Sequence, residues 1–352
     1  MLKDIKNDFD FYQFIATEEN CRKYLALKRW DGQEPQCPKC KKPGVYKFSD
    51  GNRYKCKSCS YIFKITTGTI FENSKIPLQK WFYAIYIYAG MGESLPANKL
   101  KRRLGVSYST ALFMHHRIME LFKLTNEKLK AAVEGVFEVD GLGIGADGKK
   151  MNKKTRRKKG NISGHGHRIT ILGCLCRGKF VYAFVTRPYA DYLGVSGALS
   201  FASEDSTVYA DSAPENARLV KNFVTVEFLN HQSKDYGCSI RTTNNIERAF
   251  RSFRAGLNRY VRTREAYIQR YANEQAFFYT MKTLQKKTDI ESFEEAFKNV
   301  NNRITFNELR FFGMRSEILI TDNAVAQDIM RKYLASNRFS AFMEKKTIRG
   351  KT

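Results

Sequence analysis

Two CxxC pairs near the amino terminus constrain this 352-residue chain more than any other feature. They are Cys37-Pro-Lys-Cys40 and Cys56-Lys-Ser-Cys59, with 15 residues between them. This spacing is typical of a ribbon in which each pair supplies two thiolates to one tetrahedral Zn²⁺. Four sulfur ligands leave no position for water, so we expect a structural zinc that stabilises a module too small to fold on its own core. The alternative is a pair of disulfides, which a reducing compartment disfavours.

The charge of the chain predicts a polyanionic partner. Lys and Arg number 61 against 35 Asp and Glu, which gives a formal net charge of +26. Because 43% of the residues are hydrophobic, this is a globular protein and not a disordered basic tail. The most apolar run, Trp81 to Met91, is much shorter than the ~20 residues that cross a membrane, and Met1 to Tyr24 lack a secretory signal pattern. We therefore expect a cytoplasmic, nucleoid-associated protein with no membrane partner.

Changes in composition and hydrophobic periodicity along the sequence predict four regions. Residues 1–76 hold the zinc ribbon, 77–134 have a helical period, 135–285 contain short strand-like runs, and 286–352 are a helical extension of unknown role. The break Gly105-Val106-Ser107 resembles the turn of a helix-turn-helix, with Tyr108 to Leu121 as a recognition helix. The alternative for this region is a three-helix packing unit with a basic exterior.

Three carboxylates in the strand-rich region are candidates for catalysis. Strand-like runs cover 136–140, 168–176, 179–187, 206–211 and 223–228, and an amphipathic helix covers 244–257. Asp140 ends the first strand and Asp211 the fourth, so both lie at one rim if these strands are neighbours. Glu247 lies on the helix, off its apolar face. Three such carboxylates could hold two Mg²⁺ ions, or Mn²⁺ in their place, for phosphoryl transfer.

Each acid also has a structural interpretation. Asp140 and Asp211 could simply end strands at turns, where Asp is common. Glu138 shares the face of Asp140 and could replace it as a ligand. Glu247 could cap its helix as the acid three residues after Asn244, and it could pair with Arg251 one turn later.

Basic residues near these acids are candidate DNA contacts. A run between the first two strands holds eight of them, and we expect it to be a loop that is disordered until DNA arrives. Others lie on the polar side of the Glu247 helix and before the helix-turn-helix break. The full set is Lys149, Lys150, Lys153, Lys154, Arg156, Arg157, Lys158, Lys159, Arg248, Arg251, Arg254, Arg102 and Arg103.

The remaining cysteines and the histidines predict no further chemistry. Cys174 and Cys176 are two residues apart on a strand, so they share a face and are expected to be buried free thiols. The five histidines fit no catalytic spacing, and we expect them to be structural or to face DNA.

The order of strands and helices, with acids on strands one and four and on the last helix, is similar to the ribonuclease H-like fold of DDE transposases and integrases. Particular segments resemble the zinc-ribbon DDE transposases of bacterial insertion sequences, the ISXO-two-like branch, over about residues 20 to 282. These segments are CPKC, residues 54–86, residues 102–118, FEVDG (137–141), YADS (209–212) and TNNIERAFRSFRAGL (243–257). One departure is Gly141-Leu142-Gly143, where this family suggests an acidic-aromatic stretch of the DETY type.

The resemblance implies a fold class and an activity. The fold is α/β, a ribonuclease H-like catalytic domain with a mixed five-stranded sheet, preceded by a zinc ribbon and a helix-turn-helix-like region. The activity is cleavage at the ends of an insertion sequence, followed by attack of the freed 3′-hydroxyl on target DNA. Asp140, Asp211 and Glu247 fall on the DDE positions. The partners are double-stranded DNA, as terminal inverted repeats and target, and further copies of the chain in a homodimer or higher oligomer. The alternatives are a catalytically inactive, domesticated transposase that regulates by binding DNA, and a ribonuclease H-like nuclease.

Overall fold

A computed structural model of the chain describes residues 2, 5–130, 133–144, 169–186, 199, 201–211, 225–229, 242–260, 267–305 and 309. These ranges form a small three-stranded sheet, a five-stranded sheet and a set of α-helices packed around them. Among these helices, none combines the length and the apolar character needed to cross a membrane.

Two helices lead into the zinc ribbon. Helices α1 (Asp8–Ile15) and α2 (Glu18–Trp30) begin at Asn7 and Thr17, whose side chains accept backbone N–H groups of the first turn. The ribbon sheet has the order β1-β2-β3, with antiparallel strands β1 (Val45–Lys47), β2 (Arg53–Cys56) and β3 (Ile62–Lys64). The ring of Trp30 lies 5.3 Å from that of Tyr54, which stacks on Phe63 at 5.5 Å. One face of the ribbon is therefore packed on α2, and the other remains open.

The helical region contains the predicted break. Helix α3 (Leu78–Ile85) continues into a π-helical turn, Tyr86–Gly90, and is followed by α4 (Ala97–Leu104) and α5 (Tyr108–Leu129). Gly105 ends α4 in the left-handed conformation, at φ +61°, and Ser107 caps α5 by accepting the N–H of Thr110 at 3.1 Å. The predicted break thus separates α4 from α5, in a region that forms three α-helices. Most of α5 is buried, and its first turn, with Tyr108 47% exposed, faces solvent.

The five-stranded sheet confirms the predicted α/β fold. Its strands are β4 (Val136–Ile144), β5 (Ile169–Cys176), β6 (Phe180–Thr186), β7 (Thr207–Asp211) and β8 (Thr225–Leu229), in the order β6-β5-β4-β7-β8. Strands β4, β5 and β6 are antiparallel, while β4, β7 and β8 are parallel. This is the mixed sheet that the ribonuclease H-like resemblance implies. Strand β4 runs four residues beyond its predicted end and passes unbroken through Gly141-Leu142-Gly143.

Each face of this sheet is covered by its own core. Phe137 and Val139 point to one face, which also buries Cys174 and Cys176 as predicted. The alternate residues of β4, Glu138, Asp140 and Leu142, point to the other face by the strand period. There the sheet packs on α6 (Asn244–Leu257), whose bounds match the prediction, and on α7 (Ile268–Phe278), which continues as a π-helical segment, Tyr279–Leu284.

The last described helix returns to the amino-terminal core. Helix α8 (Asp289–Phe297) begins at Thr288 with a capping box formed with Glu291. Its Phe297 ring lies 5.1 Å from Tyr24 of α2 and 4.8 Å from Phe82 of α3. The start of the predicted carboxy-terminal extension thus packs with α1 to α5, and residues 310–352 lie outside the described residues.

Candidate active site and zinc centre

The four predicted zinc ligands come together at one point. The sulfur atoms of Cys37, Cys40, Cys56 and Cys59 all lie within 4.8 Å of one another. The closest pairs join one cysteine from each CxxC, Cys37 with Cys59 and Cys40 with Cys56, both at 3.6 Å. Each pair sits on a tight turn, closed by the N–H of Lys41 or Ser60 donating to the carbonyl of the first cysteine. Four converging sulfurs at this spacing fit tetrahedral Zn²⁺, and this zinc-ribbon fold agrees with the sequence prediction.

The electrostatics of this cluster favour a bound cation. Backbone N–H groups of Cys59 and Ser58 point at the Cys56 sulfur and lower the pKa of its thiol to about 6. The N–H of Tyr61 has the same effect at Cys59, but burial and the three neighbouring sulfurs outweigh it and raise the pKa of that thiol. Four thiolates this close repel one another unless a cation lies between them. The positive charge of a bound Zn²⁺ would offset that repulsion, and zinc binds its cysteine ligands in the deprotonated form.

The open face of the ribbon is basic and aromatic. Tyr46, Lys55 and Ile62 lie side by side across the three strands, and Tyr46 and Ile62 are 62% and 52% exposed. The Lys57 ammonium lies 5.1 Å above the Tyr46 ring. No sequence pattern identifies these residues, because the shared face of short strands with mixed composition is known only once their register is known.

Two of the candidate acids lie on neighbouring parallel strands. The last paired residues of β4 and β7 are Val139 and Ala210, and Asp140 and Asp211 follow them directly. Both aspartates thus stand at the same edge of the sheet, at neighbouring positions of two adjacent strands. Asp211 is described by its backbone, and the Asp140 carboxylate accepts the N–H of Gly141 at 2.6 Å. The sheet order therefore places the backbones of these two predicted residues at adjacent positions on neighbouring strands.

Helix α6 lies against the sheet at this position. Gly173 of β5 is paired directly with Asp140, and a Cβ at Gly173 would lie 2.8 Å from the Phe250 ring and 2.9 Å from Ile246. Only a glycine permits this approach. Glu247 follows Ile246 and is half-buried. Helix α6, which carries Glu247, therefore packs on the face of the sheet to which Asp140 points.

Glu138 is fully buried and is engaged within the protein. Its Oε2 accepts the N–H groups of Asn245 at 2.9 Å and Ile246 at 3.0 Å. Its Oε1 accepts from Asn245 Nδ2 at 2.6 Å and from Arg177 Nε at 2.7 Å. The alternative in which Glu138 replaces Asp140 as a metal ligand would require breaking these bonds.

Glu247 does not have the capping role that its sequence pattern suggests. The helix begins one residue earlier than that pattern needs, because its N-cap residue is Thr243, whose side chain makes no capping hydrogen bond. The first turn is capped from a distance by Glu138. Nor is there an ion pair between Glu247 and Arg251, both of which are among the described residues. The Glu247 carboxylate therefore neither caps its helix nor forms the ion pair with Arg251.

Arg177 is part of this site and was missed by the sequence analysis. Besides its bond to Glu138, its Nη2 donates to the carbonyl of Thr242 at 2.9 Å. Its guanidinium carbon lies 4.9 Å from the centre of the Tyr209 ring. A single arginine after a strand carries no sequence signal, because these partners come from three distant segments.

The predicted DNA contacts differ in their surroundings. Arg248, Arg251 and Arg254 are exposed on α6. Arg103 forms a bidentate ion pair with Glu93, at 2.9 and 3.0 Å. The candidates from Lys149 to Lys159 lie outside the described residues, between β4 and β5 in the sequence. Those two strands continue four residues past Asp140, so they extend ~13 Å beyond the acids at this edge.

The other predicted side chains are structural where they are described. Burial raises the pKa of the Cys174 thiol to about 12 and also raises that of Cys176, so both are unreactive. Burial lowers the pKa of His115 to about 3 and that of His116 to about 2, which keeps both rings neutral. The hydroxyl of Tyr88 lies 2.6 Å from His115 Nδ1.

Two segments of the chain match known domain families. Residues 16–62 match the transposase zinc-ribbon domain, and residues 132–280 match the ISXO2-like transposase domain. A curated relative from Halobacterium salinarum, the uncharacterized protein in transposable element ISH50, is 29% identical over 157 residues. The alignment covers 43% of this chain and 51% of the relative, so the chain spans about half the length of the curated relative that it matches.

Proposed function

Because the chain belongs to the zinc-ribbon DDE transposases of the ISXO2-like branch, we propose that it is an active DNA transposase. It cleaves phosphodiester bonds at the ends of an insertion sequence and joins the 3′-hydroxyl ends to target DNA. One observation carries the proposal. Asp140 and Asp211 follow the last paired residues of two adjacent parallel strands, and α6, which carries Glu247, packs on the face of the sheet to which Asp140 points.

The three acids have the donor chemistry that Mg²⁺ requires. Carboxylate oxygens are hard ligands, and magnesium takes one or two of them together with waters and substrate phosphates. Asp140, Asp211 and Glu247 would hold up to two Mg²⁺ ions, with Mn²⁺ able to substitute. When bound, the metal activates the attacking oxygen and neutralises charge on the phosphate. The role of the chain is to fix the three carboxylates on rigid elements at one edge and to orient the DNA strand there.

The basic surfaces supply a path for the DNA. Arg248, Arg251 and Arg254 are exposed on the helix that carries Glu247, and we propose that they hold substrate phosphates. The Lys149–Lys159 run lies between β4 and β5 in the sequence, and we propose that it binds the DNA backbone. The open ribbon face and the first turn of α5 add two further sites for duplex DNA. Transposition joins two element ends, so we also propose that two or more copies of the chain act together.

The test is cleavage and joining with the DNA that flanks the gene. Wild type, Asp140→Asn, Asp211→Asn and Glu247→Gln are incubated with a labelled duplex, with Mg²⁺ or with chelator. We expect metal-dependent cleavage by wild type and a loss of at least ~10³-fold in each acid variant, with binding unchanged, since the phosphoryl transfer loses metal ligands. Asp205→Asn is the matched control, because Asp205 is exposed on the loop before β7. Metal-dependent cleavage retained by both Asp140→Asn and Asp211→Asn would refute the assignment.

The product analysis separates the alternative functions. Strand transfer of a 3′-end into a second duplex supports the transposase. Cleavage without joining would instead indicate a nuclease with the same fold, and tight binding without either reaction would indicate a DNA-binding regulator.

A further inference from the structure

We propose that Glu138, together with Arg177, is a positioning pair that sets the spacing between the strand that carries Asp140 and the helix that carries Glu247. The inference rests on the proposed function, since Asp140 and Glu247 are its candidate metal ligands. Glu138 and Arg177 touch no substrate in this proposal. They act by holding the backbone segments from which the ligands project.

The amino terminus of α6 depends on Glu138 for its cap. The first N–H groups of a helix have no partner within the helix, and a local side chain usually accepts them. Here Glu138 accepts the N–H groups of Asn245 and Ile246, although it lies more than 100 residues earlier in the sequence. The carboxylate also accepts from the Asn245 side chain at 2.6 Å. A charge at this point is further favoured by the helix dipole.

The same side chain is anchored close to Asp140. Glu138 precedes Asp140 by two residues on the same face of β4, and its helix partner Ile246 directly precedes Glu247. One carboxylate therefore links the two backbone segments within two residues of each candidate ligand. Since Glu138 is fully buried, no water competes for its oxygens, and the link has little freedom to lengthen.

Arg177 connects this link to the remaining acid. It neutralises Glu138 at 2.7 Å, holds the chain before α6 through the carbonyl of Thr242, and lies against the ring of Tyr209. Tyr209 precedes Asp211 by two residues on β7. Arg177 thus contacts all three segments that carry the acids. Its planar group reaches Glu138 and Thr242 at once through different nitrogens, which a lysine cannot do.

The expected consequence concerns metal binding more than folding. Ligands must be held within about 0.5 Å of their productive positions, and loss of the groups that orient them typically costs ~10–100-fold in metal affinity. Glu138→Gln keeps the size of the side chain, but its amide NH₂ must face either Arg177 or the donors of α6. We expect the half-saturating metal concentration to rise by ~10-fold or more, while excess metal restores most of the cleavage rate.

The experiment measures Mn²⁺ binding directly and cleavage separately. Zinc-loaded protein is titrated with Mn²⁺ alone, and the free ion is counted by electron paramagnetic resonance; the metal dependence of cleavage is then measured for the same samples. The matched control is Glu120→Gln, which removes another buried carboxylate that pairs with an arginine, Arg270, at 3.2 Å. Both variants should lower the melting temperature. Only Glu138→Gln should weaken Mn²⁺ binding.

Arg177→Lys is the second variant, in case Glu138→Gln does not fold. It retains the positive charge beside Glu138, and we expect a rise of ~3-fold or more in the half-saturating metal concentration, because the bond to Thr242 or to Glu138 is lost. Mn²⁺ affinity equal to that of wild type in the folded variants would overturn the positioning role. The Asp140→Asn protein identifies the metal site. Wild type with no Mn²⁺ site sensitive to Asp140→Asn would overturn the proposed function itself, which distinguishes the two failures.

Discussion

Replacing Gly173 with alanine tests how closely α6 must approach the edge of the sheet that carries Asp140 and Asp211, here called the acid edge. Gly173 lies opposite Asp140, and an added Cβ would lie 2.8 Å from two ring carbons of Phe250 and 2.9 Å from the Ile246 Cδ1. Carbon atoms in cores prefer separations of about 3.5–4.0 Å, so the helix would have to retreat by ~0.7–1.2 Å. Neither neighbour can turn aside easily, because Phe250 is 5% exposed and Ile246 is fully buried.

This displacement has two measurable costs. Overpacking of a well-filled core destabilises by ~1–3 kcal/mol, which lowers the melting temperature by roughly 2–4 °C per kcal/mol for a domain of about 150–250 residues. The retreat also moves Glu247, and a misplacement of ~1 Å at a catalytic group costs up to ~100-fold in rate. We therefore expect Gly173→Ala to lose more activity than its melting temperature alone would explain.

The assay pairs thermal denaturation with cleavage of the element-end duplex. Phe250→Leu frees space at the contact, so the Gly173→Ala, Phe250→Leu double variant should be more stable than the sum of the two single effects predicts, with a coupling energy of ~0.5–3 kcal/mol. A Gly173→Ala protein with wild-type melting temperature and cleavage rate, or a double variant that is simply additive, would refute the argument that α6 rests on this glycine.

The remaining predictions concern other parts of the chain. Cys56→Ser should abolish stoichiometric zinc and expose the ribbon to protease, measured by metal analysis and limited proteolysis; one equivalent of retained zinc would contradict the four-cysteine site. Burial raises the pKa of Glu274 from 4.5 to about 8, so stability should fall as pH rises through that window and level off above it; Glu274→Gln should flatten the curve of melting temperature against pH there. His115 and His116 have lowered pKa values, so their contribution is full above pH 6.5 and is lost as pH falls, which should place the wild-type maximum near pH 6.5. Gly105→Ala should cost ~1–2 kcal/mol in thermal denaturation because Gly105 has φ +61° with no steric neighbour, and an unchanged stability would exclude strain at this turn.

The local pattern of the sequence predicted the elements well because each one carries its own signal. The strands and α6 were found from β-branched and apolar periodicity, and the turn at Gly105 from its residues. The mixed five-stranded sheet did not follow from periodicity; the family resemblance implied it, and the strand order is known only from the structure, because strand neighbours are a tertiary property. The largest error in a strand end is at Ile144, four residues beyond the predicted end of β4, because Gly141 and Gly143 have low strand propensity and are held by pairing with β5.

The contacts within the candidate site could not be predicted in the same way. The local pattern Asn244 to Glu247 suggested a self-capped helix, whereas the cap is Glu138, a residue that no local rule connects to α6. Arg103, chosen for its position before the helix-turn-helix break, is paired with Glu93 ten residues earlier. In both cases the role of the side chain is set by a partner that the fold brings close, and sequence position alone did not identify that partner.

Helix α5 is connected to the five-stranded sheet through α7, by polar contacts as well as apolar ones. Phe122 of α5 stacks on Phe277 of α7 at 4.4 Å, and the Asn126 side chain donates to the carbonyl of Asn273 at 2.9 Å. Helix α7 in turn protects β6 at the sheet edge, since Gln269 accepts the N–H of Val185 at 2.6 Å. Helix α5 has 22 residues, so it extends ~33 Å from its exposed first turn. A duplex bound at that turn would therefore be held at a distance from the acids that is set by packed helices and by direct hydrogen bonds to the sheet.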